Sequence, residues 1–554
     1  MAPSLLLLFA ICLLPLALLY PPPTAFSSPS QRTDQHYQHG LAEVQRRHWE
    51  AAIREFRQAL KQSPKSAAIH NSPGWALLQT GQEGAALVEL RQAAGLDPNL
   101  AEARFNLGNA LERARDLDGA IQSYQEAIRL RPDWAEAHDA LGNVLGHRGN
   151  LLGARNEFAA AIKFKPDDGE AYFHLGLSDW LQKDYNAALA ELQRAARLEP
   201  GMANADYYLG LTCEQRGEME SAIRELRTAT RLDAASSQFH NALGFALQHD
   251  GDLAEAATEF KRAIELQPGD VEPYNNLGLV LLAQGDGDGA VEEFQKAVKL
   301  NPDDYSARNN LGVALLQKAR WEDAIREYHT LIQLDPNNAE AYYNLGVALK
   351  QQENFDEAIL SLRRAIGLDA ELPEAHYTLG VILWQQGELD DAAAEFRAAI
   401  AIRPDYEQAH SILGSVLRQK SDLNSAMDEL RTALKLDPGD GGAHQSLGMV
   451  YRQQGDTAKA QEEFRKAEEL NKAKTNTLAA TLATNTGAKQ LRQGDLEGSI
   501  TKFREALKLS PNFAPAHFQL GLALRQKGDA AQAKEEFNIA YRLDPHLKLP
   551  PLPE

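Results

Sequence analysis

At residues 374–380 the chain reads EAHYTLG; the same frame returns 34 residues later as QAHSILG (408–414) and again as GAHQSLG (442–448). The recurrence extends far beyond these three. Glycine stands at 40, 74, 108 and onward at the same interval to 448, and then at 487 and 521. Twelve residues after each glycine comes a small residue, from Ala52 and Ala86 to Ser499 and Ala533. Four further on comes Phe, Tyr or Leu, as in Phe56, Tyr124, Phe260, Phe396 and Phe537, and three further Ala, except at Leu331. Proline closes most periods; Ala234, Ala370 and Lys472 replace it.

If the glycine is position 8 of each period, fifteen repeats begin at 33, 67, 101 and so on to 441, then at 480 and 514. Small residues at positions 8 and 20 let two helices approach closely. Glycine at position 15, as in Gly149, Gly217, Gly251, Gly387 and Gly455, suits a residue leaving a helix with positive φ. Asn150, Asp252 and Asp456 follow and can cap a second helix. Proline at position 32 ends that helix, and Asp133, Asp303, Asn337 and Asp405 after it are expected to open the next. A helical pair of this size cannot bury its apolar face alone, so neighbours must stack.

A strict period with these residues at these offsets resembles the tetratricopeptide repeat (TPR) over residues 33–547. The resemblance implies an all-α fold, a right-handed superhelical solenoid of antiparallel helix pairs. The resulting division is a signal peptide at 1–27, a linker at 28–32, thirteen repeats at 33–474, a hinge or insertion at 475–479, two repeats at 480–547 and a Pro-rich tail at 548–554. Within NKAKTNTLAATLATNTG the usual proline is missing and Thr486 replaces a leucine, so a hinge or register slip and a restart of the array are expected there. Pro73, inside a first helix, is expected to remove a hydrogen bond and kink it.

Composition narrows the function. A formal net charge of −20 argues against a nucleic-acid binder, which needs a concentrated basic face. The apolar run from Leu5 to Tyr20, followed by prolines and small residues, has the outline of a secretory signal, with a short uncleaved anchor as the alternative. The expected location is therefore secreted or periplasmic, in a bacterial envelope. Of two cysteines, Cys12 lies in that run, leaving Cys213 without an intramolecular partner after cleavage. No phosphate loop, metal-ligand cluster or nucleophile elbow occurs, so neither an enzyme nor a cofactor is expected.

The recurring histidines sit at position 4: His36, His70, His138, His240, His376, His410, His444 and His517. Position 4 shares a helical stripe with positions 7, 8 and 11, the core-facing one. Metal ligands must lie within a few Å of one another, whereas equivalent residues of stacked helices are about 8–10 Å apart. The rings are therefore expected to fill the core.

Recognition is expected on the opposite face of the first helix, at positions 2, 5, 9 and 12, which in TPR proteins lines the inside of the superhelix. Glu102, Glu136, Glu170, Glu272, Glu340 and Glu374 run along position 2. Against them stand Asn275, Asn276, Asn309, Asn310 and Asn344, the aromatics Tyr343, Tyr377 and Trp384, and the cations Lys350, Arg418 and Arg452. Side-chain amides both donate and accept, so a row of them can pair with a peptide backbone. The row is similar to the one in the TPR superhelix of O-GlcNAc transferases. The chaperone-tail clamp of other TPR modules is not matched, because Phe105 and Asp139 stand where it requires lysine. The expected function is a noncatalytic scaffold binding an extended peptide or partner protein in the groove; the alternative is a substrate-targeting subunit of a separately encoded enzyme such as a protein glycosyltransferase.

Overall fold

The computed structural model describes residues 31–545 and 547. The expected signal segment and the expected tail lie outside them. The described residues form 29 helices and no strand. The chain divides into two compact parts, the first ending at Ala307 and the second beginning at Arg308. In each, antiparallel pairs such as Ala135–His147 with Leu151–Phe164, or Pro373–Gln386 with Leu389–Ile402, pack on the pairs before and after them.

The pairing depends on position 8. A Cβ on Gly108 would lie 2.5 Å from the Tyr124 ring, and one on Gly142 2.5 Å from the Phe158 ring. Both rings are completely buried. The glycine therefore provides the recess into which the position-24 side chain of the second helix inserts, and the alanines at positions 20 and 27 close the seam at 0% exposure in Ala120 and Ala127.

Turns follow the expected chemistry with one displacement. Gly149, Gly217, Gly251, Gly387 and Gly455 all have φ between 75° and 88°. Arg47, Arg115, Lys183, Ala319, Glu353 and Ser421 occupy the same position with φ of 55–64°, a strained region for residues with a Cβ. Asn150, Asp252 and Asp456 cap the second helices as expected, accepting from Gly153, Glu255 and Lys459 N–H. The first helices start one residue later than expected. Their caps are Ser66, Asp168, Ser236, Asp270 and Asn338, not the residue directly after proline. The turn is held from the other side by Asp97, Asp233, Asp335, Asp369 and Asp437, each accepting from the N–H two residues on.

Pro73 lies inside the helix Ala67–Gln79, which continues through it. The largest difference falls at 475–479, where the expected hinge or slip is replaced by one continuous 36-residue helix, Thr457–Arg492. It serves as second helix of repeat thirteen and first helix of repeat fourteen. No Gly or Pro interrupts residues 457–486, and Ala, Glu, Lys and Leu dominate its first half, so the helix has no reason to stop. Both ends of the break are polar. At position 28, where Ile128, Ile264 and Ile400 are partly buried, repeat thirteen has exposed Glu468. At positions 7 and 10, repeat fourteen has exposed Thr486 and Lys489, whereas Ala110, Val144 and Val416 at position 10 elsewhere are 0% exposed.

The position-4 histidines are core elements with a specific task. His70, His138, His240, His410, His444 and His517 place Nδ1 2.5–2.7 Å from Oε2 of Glu89, Glu157, Glu259, Glu429, Glu463 and Glu536 on the second helix. Their Nε2 atoms lie 2.9–3.4 Å from the position-32 carbonyl of the preceding repeat, as in His138 to Pro132 O at 3.1 Å. Each ring thus joins three segments across two repeats. Carboxylate and carbonyl are both acceptors, so both bonds form only if both nitrogens carry hydrogen. For His138, burial opposes the charged ring, but Glu157 and the Pro132 carbonyl outweigh it and hold its pKa above the usual histidine range.

Two tests follow. Ala319 has φ 55° and its Cβ gains nothing in return, so Ala319→Gly should stabilise by about 1 kcal/mol, read as a raised midpoint of thermal unfolding. A folded-state pKa raised above the unfolded value contributes stability that is complete at low pH and lost as pH rises through the folded value. Thermal unfolding of the native chain should therefore weaken from pH 6 to pH 8.5 relative to His138→Tyr; parallel profiles would refute this. Tyrosine occupies the same position naturally at Tyr274, whose hydroxyl donates to Pro268 O at 3.3 Å.

Candidate functional site

The first-helix face of each repeat carries the residues singled out for recognition, and the asparagines on it are tied to one another. Asn106 donates to Asn71 (3.0 Å) and Asn276 to Asn241 (3.1 Å) in the first part, and Asn344 to Asn309 (3.2 Å) in the second. Asn241 and Asn309 in turn donate to Glu272 and Glu340 of the following repeat. A position-5 asparagine therefore bridges to positions 2 and 6 of the next repeat. Asn275 and Asn310 are half-buried and likewise engaged. Asn276 is only 7% exposed. The amide row thus holds neighbouring repeats in register while lining the face.

Position-2 glutamates are similarly used. Glu102 pairs with Arg131 and Glu374 with Arg403, both within one repeat. The acidic stripe is therefore partly neutralised by its own scaffold.

Position 5 is aromatic in both parts, but Tyr37, Phe105, Phe173 and Tyr207 of the first part are buried, whereas Tyr343 and Tyr377 of the second are partly exposed. Burial raises the Tyr343 hydroxyl above the usual tyrosine range. Tyr377 rests against Phe396 (5.8 Å between ring centroids) and Tyr406 (5.1 Å), and the Arg403 guanidinium covers Tyr406 at 4.8 Å. Burial pushes the Tyr406 hydroxyl up to about 12. Trp384 Nε1 donates to Gln419 Oε1 of the following repeat at 3.2 Å. Beside this cluster, burial and the neighbouring Asp440 carboxylate push the Glu407 carboxyl up to about 7. Asp440 accepts from Ser411 Oγ at 2.7 Å and Gly442 N–H at 2.8 Å.

The three cations differ in setting. Lys350 is half-buried and burial lowers its pKa. Arg418 is half-buried, with an Nε shielded from solvent and without an acceptor among the described residues. Arg452 is exposed, its guanidinium 5.7 Å from the Phe464 ring.

Several participants were not singled out from sequence. Tyr406 lies at position 34, between helices, outside the stripe arithmetic. The glutamine at position 13 recurs at 317, 351, 385, 419 and 453 and was visible as a periodicity. So was the glutamate 19 residues after each position-4 histidine, partner in every one of the eight pairs, including His36 with Glu55 and His376 with Glu395. Among the described residues no group of three or more His, Cys, Asp or Glu converges as a metal site, and no helix is long and apolar enough to cross a membrane.

Profiles described as "Tetratricopeptide repeat" match residues 37–101, 140–203, 275–328 and 343–407, with a second covering 180–244 and a third 407–440, 442–474 and 514–547. A profile described as "TPR repeat" matches 116–149, 249–285, 314–353 and 490–528. No curated protein sequence matches significantly. Among solved structures, similarity extends to YrrB, described as a TPR protein with an unusual peptide-binding site. It shows 24% identity over 33% of this chain and 95% of that one, with a TM-score of 0.30. PilF of Pseudomonas aeruginosa shows 24% identity over 40% and 96%, with a TM-score of 0.34. The APC/C assembly Cut9–Hcn1 shows 16% over 89% and 96%, also at 0.34. Together the matched segments span most of residues 37–547, and the helix pairs follow the same period. The chain belongs to the tetratricopeptide repeat family, whose fold serves protein–protein interaction.

Proposed function

We propose that this protein is a noncatalytic scaffold that holds an extended peptide or flexible segment of a partner protein against the first-helix face of repeats ten to thirteen. The observation carrying this reading is the partial exposure of aromatic side chains on that face in the second part, where the position-5 aromatics of the first part are buried. Partly exposed Tyr343, Tyr377 and Trp384 stand beside the half-buried cations Lys350 and Arg418. Amphipathic aromatics beside arginine are the composition that dominates binding energy at protein interfaces. The apolar run from Leu5 to Tyr20 supports placing the scaffold outside the cytoplasm; N-terminal sequencing of the purified protein tests that placement.

Affinity capture from the native host followed by peptide identification tests the function. Trp384→Ala combined with Tyr343→Ala should weaken the captured partner by about 2 kcal/mol, roughly thirtyfold, with unchanged helical circular dichroism. Full retention of every partner would refute the groove reading, and a stoichiometric enzyme in the capture would favour a targeting subunit.

A further inference from the structure

Position 12 of four successive first helices carries Lys350, Trp384, Arg418 and Arg452, each in the last turn and each followed by glutamine. In a chain of net charge −20, several partly buried cations of this part find carboxylates: Arg308 meets Glu327, Arg403 meets Glu374 and Lys420 meets Asp390. Among the described residues Lys350 and Arg418 have no such counter-ion, although both are half-buried. Basic residues in a last turn offset the helix dipole, but that role leaves them solvated. Partial burial without an anion has a cost that a bound carboxylate would relieve.

We propose that this rim recognises the carboxylates of an acidic extended segment in the partner. The proposal rests on the groove reading and adds the sign of the ligand. Arginine offers a planar fork matched to carboxylates, and the neighbouring glutamines add neutral donors. Trp384 interrupts the cations and offers a ring face for an apolar side chain. Packed helices are about 8–10 Å apart and an extended chain advances about 3.3–3.6 Å per residue, so one repeat corresponds to about three residues. Acidic side chains reaching Lys350 and Arg418 are therefore about six residues apart, with an apolar residue midway, and one reaching Arg452 lies about three further.

The test uses the full chain and three fluorescein-labelled peptides of about twelve residues in a Gly/Ser background. One carries Glu at those three places with a Leu between the first two, another Gln, and the third Lys. By fluorescence anisotropy the Glu peptide should bind at least tenfold more tightly than the Gln peptide, and the Lys peptide more weakly than both. The advantage should shrink at high salt and in Lys350→Gln/Arg418→Gln, and survive in Lys350→Arg. Thermal unfolding of the variants checks that they fold. If the Gln or Lys peptide binds as well as the Glu peptide, and Trp384→Ala still abolishes that binding, the acidic preference is wrong and the groove reading stands. If none of the three binds at millimolar concentration, both are overturned.

Discussion

A Cβ at Gly108 or Gly142 would sit 2.5 Å from a buried ring, closer than any two carbons can approach without displacement. This single exclusion sets the distance between the two helices of a repeat. Because it recurs every 34 residues, it also sets the spacing at which first helices can lie beside one another. Everything on the recognition face inherits that spacing. The position-4 clips act on the same seam from the other end, joining first helix, second helix and the preceding turn through one imidazole.

The period, the helix pairs, the glycine turns and the second-helix caps were legible from residue spacing alone, because each is a local consequence of backbone chemistry. What stayed hidden involved choices between neighbours in space. Asp133 and Trp134 are adjacent, yet it is Trp134 that occupies the cap position, because the Arg131 carbonyl receives the Trp134 N–H and completes the turn. The asparagines show the same difficulty. An amide row predicts a peptide surface equally well whether its donors face solvent or the next helix, and only the Asn344 to Asn309 contact shows where those donors go. The histidines other than the partly exposed His36 pack in the core as expected, and although their glutamate partners recur 19 residues on, a one-helix projection does not show that the two meet.

The division of labour on the first-helix face follows from this. Groups near the start of a first helix complete contacts between repeats, as Glu272 and Glu340 do. Groups near its end, in the last turn, have fewer neighbours to satisfy, and there the second part keeps Trp384, Lys350 and Arg418. Scaffold and recognition are thereby carried by opposite ends of the same helix.

The fused helix Thr457–Arg492 behaves as a rotary coupling. A helix advances about 1.5 Å and turns about 100° per residue. The orientation of the final two repeats about its axis therefore depends on the number of residues between Glu468 and Thr486. Removing one residue there would swing the final pair by more than a quarter turn while barely changing its distance, whereas removing seven would restore nearly the same heading.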